Sequence, residues 1–167
     1  MVTRSERAWE VLGGVPDPEV PALSVRDLGI VRDVIDHGEE LEVVLTPTYS
    51  GCPATEAIEQ SVLSAIECEG LGPARATLRR APAWTTDWIS DDGKRKLREY
   101  GIAPPHAVIP AEAGTQGIRL FPRERGVACP HCGSTQTERT SAFGSTACKS
   151  LYRCLACREP FEYFKPL

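Results

Sequence analysis

Cys129-Pro130-His131-Cys132-Gly133 is answered, after a spacer of 21 residues, by Cys154-Leu155-Ala156-Cys157. Each stretch is a CxxC turn whose two thiolates can meet one face of a metal ion while backbone N–H groups of the turn point at the sulfurs. Two such turns joined by a β-hairpin make a tetrahedral four-sulfur site. The intervening and following sequence supplies that hairpin: Glu138 to Phe143 and Leu151 to Arg153 read as its strands, and Phe161, Tyr163 and Phe164 as a final strand. Gly133 suits the left-handed position that closes the first turn, whereas Arg158 holds the equivalent place in the second. Residues 125–167 therefore read as a β-rich zinc ribbon with Cys129, Cys132, Cys154 and Cys157 as ligands. So small a module buries too little apolar surface to fold alone, and bound metal supplies the deficit. Spacing leaves zinc (structural) and iron both open. His131 reads as solvent-facing. Cys148, six residues before Cys154, reads as a buried hydrophobe, an alternative ligand or an exposed thiol beside Lys149.

Upstream, the pattern changes to mixed helix and strand. Arg4 to Leu12 reads as a helix with Ala8, Val11 and Leu12 on one side, ended by Gly13-Gly14. The prolines of Asp17-Pro18-Glu19-Val20-Pro21 enforce a non-helical segment. Ser24 can cap a single helical turn ending at Gly29. Ile30 to Ile35 and Leu41 to Thr48 read as a hairpin turning at Gly38. A helix opens at Pro53, with Ala57, Ile58, Val62, Ala65 and Ile66 at helical spacing and Gly70 beyond its end, and Cys68 falls on its core side. Ala74 to Leu78 is a third strand. The order α-β-β-α-β predicts a small sandwich with helices on one sheet face. Ser90 to Tyr100 adds an extra helix, stopped by Gly101, Ile102 and Pro104-Pro105. The fold class is thus α+β: a body over 1–105, a linker over 106–124 and the ribbon over 125–167.

The 167 residues are 41% hydrophobic and 25% charged, the balance of a soluble globular chain. Residues 1–122 carry 12 Lys/Arg against 19 Asp/Glu, and residues 123–167 carry 7 against 4. Four thiolates and a divalent ion would cancel most of the tail's excess, so neither part attracts phosphate strongly. The opening residues are polar, no stretch reaches the ~18 apolar residues of a membrane span, and seven cysteines form an odd set. These features predict a cytoplasmic chain in a reducing compartment, with no membrane partner.

Cys52 is the second chemical feature, in Thr46-Pro47-Thr48-Tyr49-Ser50-Gly51-Cys52-Pro53. Preceding a helix-opening proline, it would occupy the cap, where unpaired N–H groups favour a thiolate. A nucleophile, a soft-metal or cluster contact and an inert cap all fit that position. No histidine lies close in sequence to serve as a base.

Several segments together resemble the PaaD/SufT-type domain: Asp17-Pro18-Glu19-Val20-Pro21, Leu28-Gly29-Ile30-Val31, Thr46-Pro47-Thr48 with Gly51-Cys52-Pro53, and Trp84-Thr85-Thr86-Asp87-Trp88-Ile89 followed by Gly101-Ile102-Ala103-Pro104-Pro105. The tail motifs Phe143-Gly144-Ser145-Thr146-Ala147-Cys148-Lys149, Leu151-Tyr152-Arg153-Cys154 and Glu159-Pro160-Phe161-Glu162-Tyr163-Phe164-Lys165 look like the PaaD family specifically. That resemblance implies an accessory subunit of aerobic phenylacetate degradation, encoded with the phenylacetyl-CoA epoxidase, without a catalytic step of its own. It implies assistance to iron–sulfur or metal-cofactor maturation, with a transient iron–sulfur cluster and the other epoxidase subunits, above all the iron–sulfur reductase, as partners. Self-association as a homodimer is also open. On this reading Cys52, with Asp17, Glu19 and Thr48, contacts a cluster or client, and Trp84, Trp88, Cys148 and Lys149 dock the partner. Consistently, the sequence has no Glu-x-x-His pair, phosphate-cradling glycine loop or dinucleotide fingerprint. Two alternatives stand beside it: a ribbon that reads nucleic acid, which the acidic body opposes, and a thiol oxidoreductase using Cys52 or Cys148.

Overall fold

The computed structural model describes residues 2–49, 51–106 and 126–166. Beyond His106, the expected linker lies outside the described residues. The chain divides into two compact units between Tyr100 and Gly101.

The first unit begins with α1 (Arg4–Leu12), whose start is set by a reciprocal cap: Glu6 N–H donates to the Thr3 hydroxyl, and Thr3 N–H donates to the Glu6 carboxylate. It continues through β1 (Val31–Asp36), β2 (Leu41–Leu45), α2 (Thr55–Cys68), β3 (Ala74–Leu78), a 3-10 turn over Thr86–Trp88 and α3 (Asp91–Glu99). The sheet order is β1-β2-β3, with β1 antiparallel to β2 and β2 parallel to β3. A parallel neighbour cannot be reached by a tight turn, so the chain must cross over, and α2 is that crossover. Its buried face is Ile58, Val62 and Ile66, at the helical spacing the sequence shows. α1 packs on β1 and α2, burying Ala8 and Leu12. Leu41, Val43 and Leu45 close the core from the sheet.

Three details differ from the sequence reading. β2 ends at Leu45 rather than Thr48, because Pro47 has no N–H to give the ladder. α2 opens at Thr55 with Ala54 as its cap residue, so Pro53 is not its first position and Cys52 is not the cap. The Cys52 carbonyl instead accepts the Thr55 N–H (3.2 Å) and hydroxyl (2.8 Å), which holds Cys52 in a turn before the helix. Cys68 is exposed at the last turn of α2 rather than in the core. Residues 24–29 form the single capped turn that the sequence predicts: Ser24 N–H donates to the Asp27 carboxylate and Asp27 N–H to the Ser24 hydroxyl, both at 3.0 Å, and Leu28 N–H donates to the Ser24 carbonyl at 3.1 Å. Asp27 also receives Lys96 Nζ at 2.8 Å, tying that turn to α3.

The second unit is a four-stranded sheet in the order β4-β7-β6-β5, built from β4 (Ile102–Ala103), β5 (Thr137–Ser141), β6 (Lys149–Cys154) and β7 (Pro160–Phe164). β5, β6 and β7 are antiparallel, while β4 runs parallel to β7 with Ile102 opposite Glu162 and Ala103 opposite Tyr163. Residues 101–105, which the sequence assigns to the body, therefore begin the ribbon unit. Its core is Ala103, Val127, Cys129, Tyr152, Cys154, Phe161 and Tyr163. Tyr152 stacks on Phe161 (centroids 5.8 Å apart) and meets Tyr163 edge-on (5.6 Å).

Candidate metal centre and the Cys52 cleft

The sulfurs of Cys129, Cys132, Cys154 and Cys157 all lie within 4.8 Å of one another. Cys129 and Cys157 are 3.7 Å apart, and Cys132 and Cys154 are 3.6 Å apart. A disulfide needs about 2.05 Å, and none of the seven cysteines is in one. A tetrahedron with metal–sulfur bonds of about 2.3 Å has edges of about 3.8 Å, so the four sulfurs already stand at ligand spacing. The turns bring them there as the sequence predicts. Gly133 N–H donates to the Cys129 carbonyl at 2.8 Å, and Cys157 N–H points at the Cys154 sulfur at 3.5 Å. Gly133 takes φ +76° and Arg158 takes φ +66°, so the second turn adopts the left-handed conformation without a glycine. His131 is exposed.

Electrostatics explain why this group calls for a cation. The Cys157 N–H, with further hydrogen bonds from Ala156 and neighbouring sulfurs, holds the Cys154 thiol down to about 6 against its burial. Cys157 accepts from the Glu159 amide, which lowers it, but burial and the Cys154, Cys132 and Cys129 sulfurs push it up to about 12. The clustered sulfurs thus oppose ionisation of Cys157, and a positive ion among them relieves that opposition. The donor set of four soft thiolates fits zinc or iron.

Cys148 stands outside this group. It is buried, with its sulfur 3.0 Å from the Thr146 hydroxyl. Lys149 is 3% exposed and pairs with Glu162 at 3.0 Å. Neither offers its side chain to solvent.

Cys52 lines a cleft of about 580 Å³ on the first unit. Thr46, Thr48, Glu56, Glu59, Arg80 and Trp84 share the lining. Cys52 and Thr48 of the predicted set are thus brought together, and Trp84 joins them, its Nε1–H donating to the Leu28 carbonyl at 2.8 Å. Asp17 and Glu19 are not among the residues lining this cleft. Asp17 is buried, and its Oδ1 accepts the N–H groups of Glu19 (2.9 Å) and Val20 (2.8 Å), which fixes the proline-flanked turn. Trp88 is half-buried under the Arg32 guanidinium, 3.6 Å from the ring centroid. Arg80, Glu56 and Glu59 are cleft residues that the sequence reading lacks. Glu56 and Glu59 carry a local signal, since they stand three residues apart at the start of α2, just after Cys52. Arg80 carries none, because it comes to the cleft from the far end of β3.

An α/β body bearing a cysteine cleft, followed by a four-cysteine β-ribbon, defines the class of iron–sulfur assembly-type domains extended by a zinc ribbon. Residues 5–77 match the family described as iron–sulfur cluster assembly protein, and residues 114–165 match the PaaD zinc beta ribbon domain. The chain is 48% identical over 162 residues to the D component of a "Putative 1,2-phenylacetyl-CoA epoxidase" of Escherichia coli (strain K12), a match that covers 94% of this chain and 90% of that one. It belongs to the PaaD family of phenylacetyl-CoA epoxidase D components. Among solved structures, a DUF59 domain of unknown function from Bacillus anthracis shares the fold of the body at TM-score 0.53 and 24% identity, covering 56% of this chain and 91% of that one. A conserved hypothetical protein from Thermotoga maritima aligns at TM-score 0.47 and 31% identity, over 55% of this chain and 91% of that one. No helix among the described residues is long and apolar enough to cross a membrane.

Proposed function

We propose that this chain is a non-catalytic, cytoplasmic accessory subunit that assists iron–sulfur or metal-cofactor maturation in the phenylacetyl-CoA epoxidase system, with the iron–sulfur reductase as its principal client. The observation that carries the reading is Cys52 in the wall of an open cleft, within the part of the chain that matches the iron–sulfur assembly family. A covalent catalyst would pair that thiol with a base, yet among the described residues the lining offers hydroxyls, two carboxylates and a guanidinium, and no imidazole. A single soft sulfur in a wide cleft suits brief contact with iron or a cluster, whose remaining ligands come from elsewhere. The ribbon is then a structural zinc module, its four thiolates committed to one ion.

Cys52→Ser is the test. The variant should keep the wild-type melting temperature and ribbon metal, while co-expressed reductase and oxygenase are recovered, without oxygen, with less iron and sulfide per chain than with the wild type. Fully loaded and active partners in the presence of the variant would refute the role given to Cys52. Elemental analysis and visible absorption of the accessory chain itself assign the ribbon ion. Zinc alone marks a scaffold, whereas iron with sulfide marks a carrier.

A further inference from the structure

The end of the ribbon sheet away from the four cysteines is the tip of the β5–β6 hairpin, where Phe143 stands 67% exposed. One exposed phenylalanine means little by itself. Here the loop that carries it is braced from several sides. Lys149, 3% exposed, pairs with one oxygen of Glu162 at 3.0 Å, and Glu162's other oxygen accepts the Ser145 N–H. Gly144 N–H donates to the Lys149 carbonyl at 2.8 Å, and the loop lies so close that a Cβ at Gly144 would stand 2.6 Å from the Glu162 carboxylate. Lys165 N–H donates to the Cys148 carbonyl at 2.9 Å, closing the loop onto the end of β7. A buried ion pair is a poor route to stability, and its best-attested use is to fix one conformation. What it fixes here is the backbone of the loop that carries Phe143.

The charge beside the ring is also specific. Lys165 Nζ lies 4.6 Å from the Phe143 ring centroid and donates to the Ala142 carbonyl at 3.1 Å. No carboxylate among the described residues pairs with it. Among the described residues the tip therefore presents an exposed aromatic ring flanked by one cation without a paired carboxylate, while Lys149 and Glu162 neutralise each other.

We infer that Phe143 and Lys165 form a docking anchor for a partner protein whose contact face is an apolar pocket rimmed by carboxylate groups. An aromatic side chain carried on a braced loop adds no loop-ordering cost when it enters a pocket. Anchors of this kind dominate interface energetics, and the adjacent charge adds selectivity and salt dependence. One cation is too little for phosphate recognition. The inference rests on the proposed membership of the epoxidase system, which identifies the partner as one of its subunits.

The test uses the full tagged chain co-expressed with the other epoxidase-system subunits, and the amount of each subunit retained is measured at low and high salt. Phe143→Ala should lower retention by about tenfold or more. Lys165→Glu should weaken it and remove the salt dependence. Leu155→Ala, at a 53% exposed position on the second CxxC turn, should leave it unchanged. All three variants should keep the wild-type metal content and melting temperature, which excludes misfolding. Wild-type retention by both tip variants overturns the anchor and leaves the epoxidase reading standing. No retention by the wild type overturns that reading and the anchor together. Loss of wild-type retention on nuclease treatment shows a nucleic-acid bridge and overturns the anchor.

Discussion

A methyl group at position 29 has nowhere to go. Gly29 has φ +66°, and an added Cβ would lie 2.6 Å from the Trp88 carbonyl oxygen and 2.8 Å from the Trp88 Cβ. Gly38, with φ +87°, has nothing within 4 Å of the same point. Gly38→Ala should therefore cost only the left-handed penalty, about 1 kcal/mol, while Gly29→Ala adds a backbone clash and should cost about 3 kcal/mol. Denaturant unfolding of the two variants reads the difference. Equal losses would show that the 3-10 turn moves aside. Leu28-Gly29-Ile30-Val31 is recognisable in the sequence, but its cause is not, because Trp88 reaches Gly29 only through the fold. Asp27 is a similar case. Burial raises its carboxyl, but Lys96 and the Ser24 N–H and hydroxyl outweigh that and hold it below the usual carboxylate range. A depressed folded value means stability that is present above the unfolded value of 3.8 and lost as pH falls through the folded one. Asp27→Asn should cost about 1 kcal/mol at neutral pH after solvent screening. The gap from wild type should shrink below about pH 4, and a gap that is flat down to pH 2 would assign the cost to packing.

Among the elements, α1, β3 and α3 are legible because their ends are written locally: a capping box, a run bounded by turn residues, and Ser90 as a side-chain cap accepting the Gly93 N–H at 2.9 Å. The start of α2 is less so. Pro53 is compatible with a first helical position, but hydrogen bonds to the Cys52 carbonyl spend that turn before the helix begins. The hairpin loop of the ribbon shows the same limit. Its motif is distinctive, yet the sequence reading leaves Lys149 at the surface, because the partner that buries it lies across the sheet on β7. This pairing makes a strong prediction. Glu162→Ala leaves the Lys149 ammonium buried without its counter-charge and should destabilise the ribbon by about 3 kcal/mol. Lys149→Met together with Glu162→Leu should restore much of that loss, since the apolar pair needs no desolvation of charge. A thermal melt of the single and double variants measures the coupling, and additive losses would mean that the ion pair is not what braces the loop.

At the scale of the whole molecule, the four clustered cysteines are marked by their spacing alone, and the structure sets Cys129 3.7 Å from Cys157 and Cys132 3.6 Å from Cys154 across the two turns. The boundary between the units is not written that way. Gly101 to Pro105 reads as the stop signal of α3, and nothing local reveals that Ile102 and Ala103 pair with a strand near the far end of the chain. The two units have separate cores: Leu12, Leu41, Val43, Val62 and Ile66 in the first, and Tyr152, Phe161 and Tyr163 around Cys129 and Cys154 in the second. Two of the second core's members thus belong to the four-cysteine group, so an ion held there would tie metal binding to the packing. Cys129→Ser removes a sulfur from that core and leaves three ligands. The variant should lose its ribbon ion on elemental analysis. Its backbone amide spectrum should collapse for residues 126–166 while residues 2–100 keep their native dispersion, because metal binding is folding free energy for the ribbon alone. A strong chelator acting on the wild type should give the same selective collapse, and restoring zinc should reverse it. A chelated protein that keeps a dispersed ribbon would mean that Tyr152, Phe161 and Tyr163 suffice to hold it. Simultaneous loss of both halves of the spectrum would mean that the body depends on the ribbon, contrary to their separate cores.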